Sequence, residues 1–214
     1  ARGPMQAFAA RIAAPAARLG LAQLALHLCC PGVPDLYQGN EGWDTSLVDP
    51  DNRRAVDHAQ RVAWLQDTRG WAELLRSWQD GAPKARLLAR GLQLRQRNAA
   101  LFERAPVQAI TLPEAAAGWL LLTRAIDDHA LFLLVHLRAT ALDSAPPGSD
   151  AEADLSRVHD ADSVTLALPG LPRGRYRNVL AEGVMEVSDD APTLGRLHQG
   201  SPVALWVKDA ADER

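Results

Sequence analysis

The residues best suited to chemistry crowd into one stretch. From Gln38 to Asp57, about twenty positions carry Glu41, Asp44, Asp49, Asp51, Arg53 and Arg54 around Trp43, with Asn52 among them and Tyr37 at the entrance. A flat aromatic ring beside planar hydrogen-bonding groups suits a sugar, which offers apolar faces and hydroxyl edges. Loops this long inside compact domains are uncommon and tend to be functional. A plainer reading also fits: a solvated loop tied by ion pairs, with Glu41 clamped to Arg53 or Arg54, Asp35 capping a strand end and Trp43 plugging the core.

The elements that must hold this stretch can be read from periodicity. Met5 to Leu28 carries apolar residues at helical spacing, including Leu21, Leu24 and Leu28. Pro15 is expected to break or kink that helix, and Pro31-Gly32 to stop it. Val33–Tyr37 reads as a short buried strand feeding the polar loop. Helical pattern returns over Asp57–Asp67 and Trp71–Trp78, with Asp57 and Thr68 as expected N-caps. Asp80-Gly81-Ala82-Pro83 is a turn whose proline opens the next helix. That helix, Lys84 to about Asn98, is expected to bury Leu87, Leu88, Gly91, Leu92 and Leu94 and to present Arg86, Arg90, Arg95 and Arg97.

After Phe102 the pattern changes to short β-rich runs: Val107–Leu112, Trp119–Ile126, Ala130–Leu137, Val164–Leu168, Arg175–Leu180, Val184–Val187 and Val203–Lys208. Turn residues such as Asp127-Asp128 and Pro169-Gly170 separate them, which predicts an antiparallel sandwich. Thr140–Asp162, rich in Pro, Ser and Asp, reads as a mobile loop.

Elsewhere the bland readings dominate. The two cysteines, Cys29 and Cys30, are adjacent, so no disulfide framework exists, and a reducing, cytoplasmic setting is expected. His27 and His136 sit in apolar runs and read as core histidines. Trp64, Trp71 and Trp78 recur every seven residues and read as packing. Lys84, at a helix start, reads as surface. No His, Cys and carboxylate cluster has metal-ligand spacing, so neither metal nor cofactor is expected. The net charge of −3 shows no basic stripe, so nucleic acid is not an expected partner. No apolar run approaches the roughly 20 residues that span a bilayer, so no membrane is expected either. The chain does not open on Met, and we expect it to be cut from a longer one.

The string Pro-Gly-x-Pro-x-x-Tyr-x-Gly-x-Glu over Pro31–Glu41 resembles the last-strand motif of the α-amylase superfamily. Its continuation, Gly42-Trp43-Asp44-Thr45-Ser46-Leu47-Val48-Asp49-Pro50-Asp51-Asn52-Arg53-Arg54, resembles the malto-oligosyltrehalose synthase family within it. The likeness is strong over about Gly20 to Asp57 and weaker to Phe102. The chain departs from the family's usual pattern at Gly20, Gly42 and Ala55. The resemblance implies an α/β part followed by an all-β part: the C-terminal end of a (β/α)8 barrel over residues 1–80, a connecting helix over 81–104 and a C-terminal β-sandwich domain over 105–214. It implies an intramolecular transglucosylase that converts the reducing-end α-1,4 bond of malto-oligosaccharides into an α,α-1,1 bond, by a retaining mechanism. The expected substrate-binding residues are Tyr37, Gln38, Glu41, Trp43, Asp44, Asp49, Asp51, Asn52, Arg53 and Arg54. The family's catalytic carboxylates belong to earlier barrel strands. Neither an Asn-His-Asp nor a Gly-x-Arg-x-Asp segment occurs here, and His159-Asp160 is only a decoy. No catalytic residue is therefore assigned, and the expected partners are α-glucans and an upstream barrel of the same polypeptide. The alternatives are another glucanotransferase or hydrolase of the superfamily, and a non-catalytic glucan-binding or structural module.

Overall fold

The computed structural model describes residues 2–44, 55–138, 154–158 and 161–209. Its first element, α1 (Arg2–Cys29), runs unbroken through Pro15. The proline withdraws one N–H from the helix ladder. Buried neighbours on the same face, Ala14, Ala17, Leu21 and Ala25, hold the helix together across that gap. Over Gly3–Cys29 it is long and apolar enough, by length and composition alone, to cross a membrane. The sequence reading finds no such run because Arg11 and Arg18 interrupt it. Half of the helix's most apolar window is buried against the rest of the fold.

The chain then departs from expectation. Residues 33–37 are not a strand. Val33 is 93% exposed and Tyr37 is 59% exposed. A strand needs a neighbour to pair its N–H and C=O groups, and among the described residues none lies beside this segment.

Helix α2 (His58–Gln66) is capped by Asp57, whose side chain accepts from Gln60 N. Helix α3 (Trp71–Arg76) is preceded by Gly70, not Thr68. The start is delayed because Arg69 N donates to Asp67 Oδ1, a local turn that competes with helix. A 3-10 turn over Trp78–Asp80 leads through the left-handed Gly81 into α4 (Ala82–Arg97), with Pro83 in its first turn. On α4 the expected burial holds for Leu87, Leu88, Gly91 and Leu94, but Leu92 is exposed. Arg95 is not simply presented to solvent. It donates to the carbonyls of Leu28, Cys30 and Gly32, closing the end of α1. Helix α5 (Ala99–Arg104) completes this layer.

Among the described residues six strands follow: β1 (Val107–Ile110), β2 (Trp119–Ile126), β3 (His129–His136), β4 (Gly174–Asn178), β5 (Val184–Val187) and β6 (Val203–Lys208). They form one antiparallel sheet, ordered β1-β2-β3-β6-β4-β5, not the two facing sheets of a sandwich. Val164–Leu168 supplies a single bridge, Thr165 to Thr193, and no strand. The missing second sheet is replaced on both faces. Leu131, Leu133, Val135, Val203, Leu205 and Val207 face the helices and join the core of α1, α3 and α4. Phe132, Leu134, Tyr176, Ala204 and Trp206 face the other way. There they meet Val158, Leu166, Leu171 and the short helix α6 (Leu194–His198). Burial on both faces explains why β3 and β6 read as continuous apolar runs. Of the expected mobile loop, Thr140–Ala153 and His159-Asp160 lie outside the described residues. Residues 154–158 are tied down: Arg18 donates to Asp154 O, and Leu155 N donates to Leu75 O.

The joint between α1 and α4 is tight at one glycine. A Cβ added to Gly91 would fall 2.6 Å from Leu28 Cδ1 and 3.3 Å from its Cγ. Leu28 is itself buried. Gly91→Ala should therefore destabilise the chain by about 1–2 kcal/mol through overpacking, despite alanine's better helix propensity. Urea unfolding checks this; a gain in stability would show that Leu28 swings away freely.

Candidate sugar-binding cleft

The expected site residues divide between a cleft and its support. A cleft of about 620 Å³ opens between one face of α1, the 35–44 segment and the start of α4. Its floor is made of small α1 residues, Ala13, Ala16, Ala17 and Gly20, with Gln23 and His27 further along the same face. These positions recur every three to four residues, so one helical face supplies them all.

Trp43 is the wall. It stands over Gly20, where an added Cβ would sit 3.6 Å from the indole. Its Nε1 donates to Trp78 O at 2.6 Å, and the two rings meet edge-on at 5.9 Å and 77°. With the indole N–H spent on protein, Trp43 can offer a ligand only its ring. Lys84 closes a third side: its Nζ donates to Gly42 O at 2.8 Å and lies 6.0 Å from the Trp43 centroid. Burial pulls the Lys84 ammonium below its ordinary range, while Asp44 and Glu41 oppose that shift. Asp44, Tyr37, Asn40 and Asp35 complete the polar rim. The arrangement is a fixed aromatic wall beside carboxylates, an amide and an ammonium, which can grip a hydroxylated ring by stacking and by its edges.

Of the ten expected residues, Tyr37, Trp43 and Asp44 line this cleft. Gln38 is exposed and is not part of the wall. Glu41 sits behind it. Its Oε2 accepts from Arg61 Nε at 3.1 Å and its Oε1 accepts from Gly39 N at 3.4 Å. Partial burial works against the Glu41 charge. Its backbone hydrogen bonds and Arg61 outweigh that and hold the carboxyl below its ordinary range. Asp49, Asp51, Asn52, Arg53 and Arg54 lie outside the described residues.

The structure adds residues that sequence reasoning set aside. Trp78 lines the cleft, while Trp64 and Trp71 are core; Trp71 donates to the buried Ser201 hydroxyl. His27 is exposed at the cleft, not in the core, and its Nε2 accepts from Asp35 N at 3.0 Å. The signal was available: Gly20, Gln23 and His27 share one α1 face. His136 is buried against Trp119, at 4.8 Å between centroids. Cys29 is buried, and burial together with Cys30 pushes its thiol up to about 12, so it is no nucleophile. Among the described residues no three His, Cys, Asp or Glu are grouped to hold a metal. A second, larger cavity between α3, α4 and the turn after β4 is rich in arginine. Two of those arginines are committed: Arg69 to Asp67, Asp80 and Ser77, and Arg86 to the carbonyls of Asp67 and Arg69.

No protein-family model matches the chain. Over 76 residues, 36% of the chain, it is 47% identical to a Mycobacterium tuberculosis protein carried under the name maltooligosyl trehalose synthase, and that match spans 8% of the relative. A solved variant of maltooligosyltrehalose synthase from Arthrobacter ramosus superposes with a TM-score of 0.63 at 29% identity. That superposition covers 90% of this chain and 22% of the synthase. A second solved maltooligosyl trehalose synthase shares the fold at a TM-score of 0.63 and 22% identity, covering 94% of this chain and 23% of its own. In sequence over those 76 residues, and in fold over nearly its whole length, the chain is related to the maltooligosyl trehalose synthases, of whose length it spans only a part.

Proposed function

We propose that this chain is the C-terminal part of a malto-oligosyltrehalose synthase, an intramolecular transglucosylase acting on malto-oligosaccharides in the cytoplasm. Residues 1–80 complete the catalytic barrel, 81–104 connect, and 105–214 form the C-terminal domain. In the retaining scheme a carboxylate elsewhere in the protein forms a glycosyl-enzyme and a second acts as acid, then base. The glucose released from the reducing end has to stay, turn and attack through its anomeric hydroxyl before water does. One observation carries the reading: Trp43, locked by Trp78 and Lys84 over the small floor of α1, is a rigid platform flanked by hydroxyl-binding groups. That platform is suited to holding a single glucose.

The test uses the full reading frame and this chain side by side with maltopentaose. The full protein is expected to remove reducing ends without releasing a matching amount of glucose, whereas the chain alone makes neither capped product nor glucose. Reducing ends that rise with cleavage would make the protein a hydrolase of the same superfamily. Turnover by the purified chain alone would overturn the placement of the carboxylates elsewhere.

A further inference from the structure

Arg61, one turn into α2, does not line the cleft, yet its guanidinium spends all three nitrogens next to it. Nε donates to Glu41 Oε2 at 3.1 Å, Nη2 to Gly39 O at 2.7 Å, and Nη1 to Asp57 O at 3.2 Å. Three residues further along the same helix, Trp64 is buried against the same turn. A Cβ added to Gly42 would fall 2.5 Å from Trp64 Cη2. Gly39, held at a φ of +96°, backs onto Val56, whose Cγ2 would lie 3.5 Å from an added Cβ. Helix α2 therefore grips residues 39–42 with two hydrogen bonds from Arg61 and the steric contact of Trp64, and Trp43 and Asp44 are the next two residues in the chain.

We infer that Arg61 is a positioning residue for the sugar cleft: it fixes the 39–42 turn, and through it the angle at which Trp43 and Asp44 meet the substrate. This rests on the reading of the cleft given above. The Arg61 and Glu41 side chains are 23% and 34% exposed, so their attraction adds little to stability. Two directional bonds from one planar group to Glu41 and Gly39, with the third to Asp57 O holding the guanidinium itself in place, set geometry instead.

In the full-length protein, Arg61→Met is expected to raise free glucose relative to trehalose-capped product by roughly 5-fold, well inside the ~100-fold that a misplacement of about 1 Å can cost. Arg61→Lys keeps the charge but not the fork, and should fall nearer Arg61→Met than the parent. Adding Glu41→Gln to Arg61→Met should change the ratio little further, because both act through one turn. A residue that merely stabilises the fold would lower the melting temperature and total activity at an unchanged product ratio. If Arg61→Met does not accumulate as folded protein, Arg61→Lys decides. An unchanged ratio in the Arg61 variants, with a raised ratio in Trp43→Ala, overturns the positioning role and leaves the cleft reading standing. An unchanged ratio in Trp43→Ala as well removes both.

Discussion

Replacing Trp43 by alanine in the full-length protein is expected to raise the ratio of free glucose to trehalose-capped product by about tenfold, a shift of ~1.4 kcal/mol in the competition between glucose and water. In the reaction proposed above, the glycosyl-enzyme has two fates, attack by the retained glucose or by water. Whatever shortens the residence of that glucose favours water. Trp43 meets the cleft with its ring alone, because its N–H is held by Trp78 O. Removing the ring deletes the stacking surface without disturbing the carboxylates that the proposed function places elsewhere, so total bond cleavage should fall only modestly. Asp44→Ala should move the ratio the same way if its carboxylate takes a hydroxyl. Trp43→Ala also loses the edge-on contact with Trp78, so some drop in its melting temperature is expected. Melting temperature therefore cannot decide the matter, and product ratio can. Unchanged ratios in both variants, with only lowered melting temperatures, would return the segment to a purely structural role.

Arg124→Met should destabilise the chain by about 3 kcal/mol, lowering its melting temperature by roughly 6–12 °C. Arg124 is 3% exposed on β2. It donates to Cys29 O at 3.1 Å, to Phe102 O at 2.7 Å and to Ala105 O at 2.8 Å. One guanidinium thus takes the carbonyls at the ends of both α1 and α5, where helix dipoles place partial negative charge. Burial pulls its pKa below the ordinary range, so the buried charge is tolerated only because those carbonyls surround it. Methionine keeps much of the packing against Phe102 but leaves three buried acceptors unmet. Arg95→Met is the control. It loses bonds to Leu28 O, Cys30 O and Gly32 O at a partly exposed site, where water can substitute, and should cost about 1 kcal/mol. Thermal melts of both variants test the pair. Equal small shifts would mean that the carbonyls around Arg124 find other donors.

What the sequence determined by itself was everything with a local cause. Turn residues bound β2, β5 and β6, and these strands begin and end where the runs Trp119–Ile126, Val184–Val187 and Val203–Lys208 do. Asp57 caps α2 and Pro83 opens α4, because a cap and a fixed φ act within one turn of chain. The polar composition of 38–44, and the motif that runs into it, singled out the segment from which Asn40, Trp43 and Asp44 line a cleft. Tertiary structure decided what depends on distant partners. Whether Val33–Tyr37 is a strand turns on a neighbouring strand to pair with, and no periodicity in five residues reports that. Whether β-rich runs make two sheets or one depends on what covers them. Here helices from the first half of the chain cover one face, and the continuous apolar runs of β3 and β6 are equally compatible with either arrangement. Trp78 and Arg61 belong to the cleft or its support only because α2 and the 78–80 turn converge on residues 39–44, and His27 because the chain beyond α1 brings Asp35 back onto it. Trp78 and Arg61 have ordinary local contexts, and only the packing of separate elements gives them a neighbour worth binding; the α1 face that carries Gly20, Gln23 and His27 was readable, but not what lies against it.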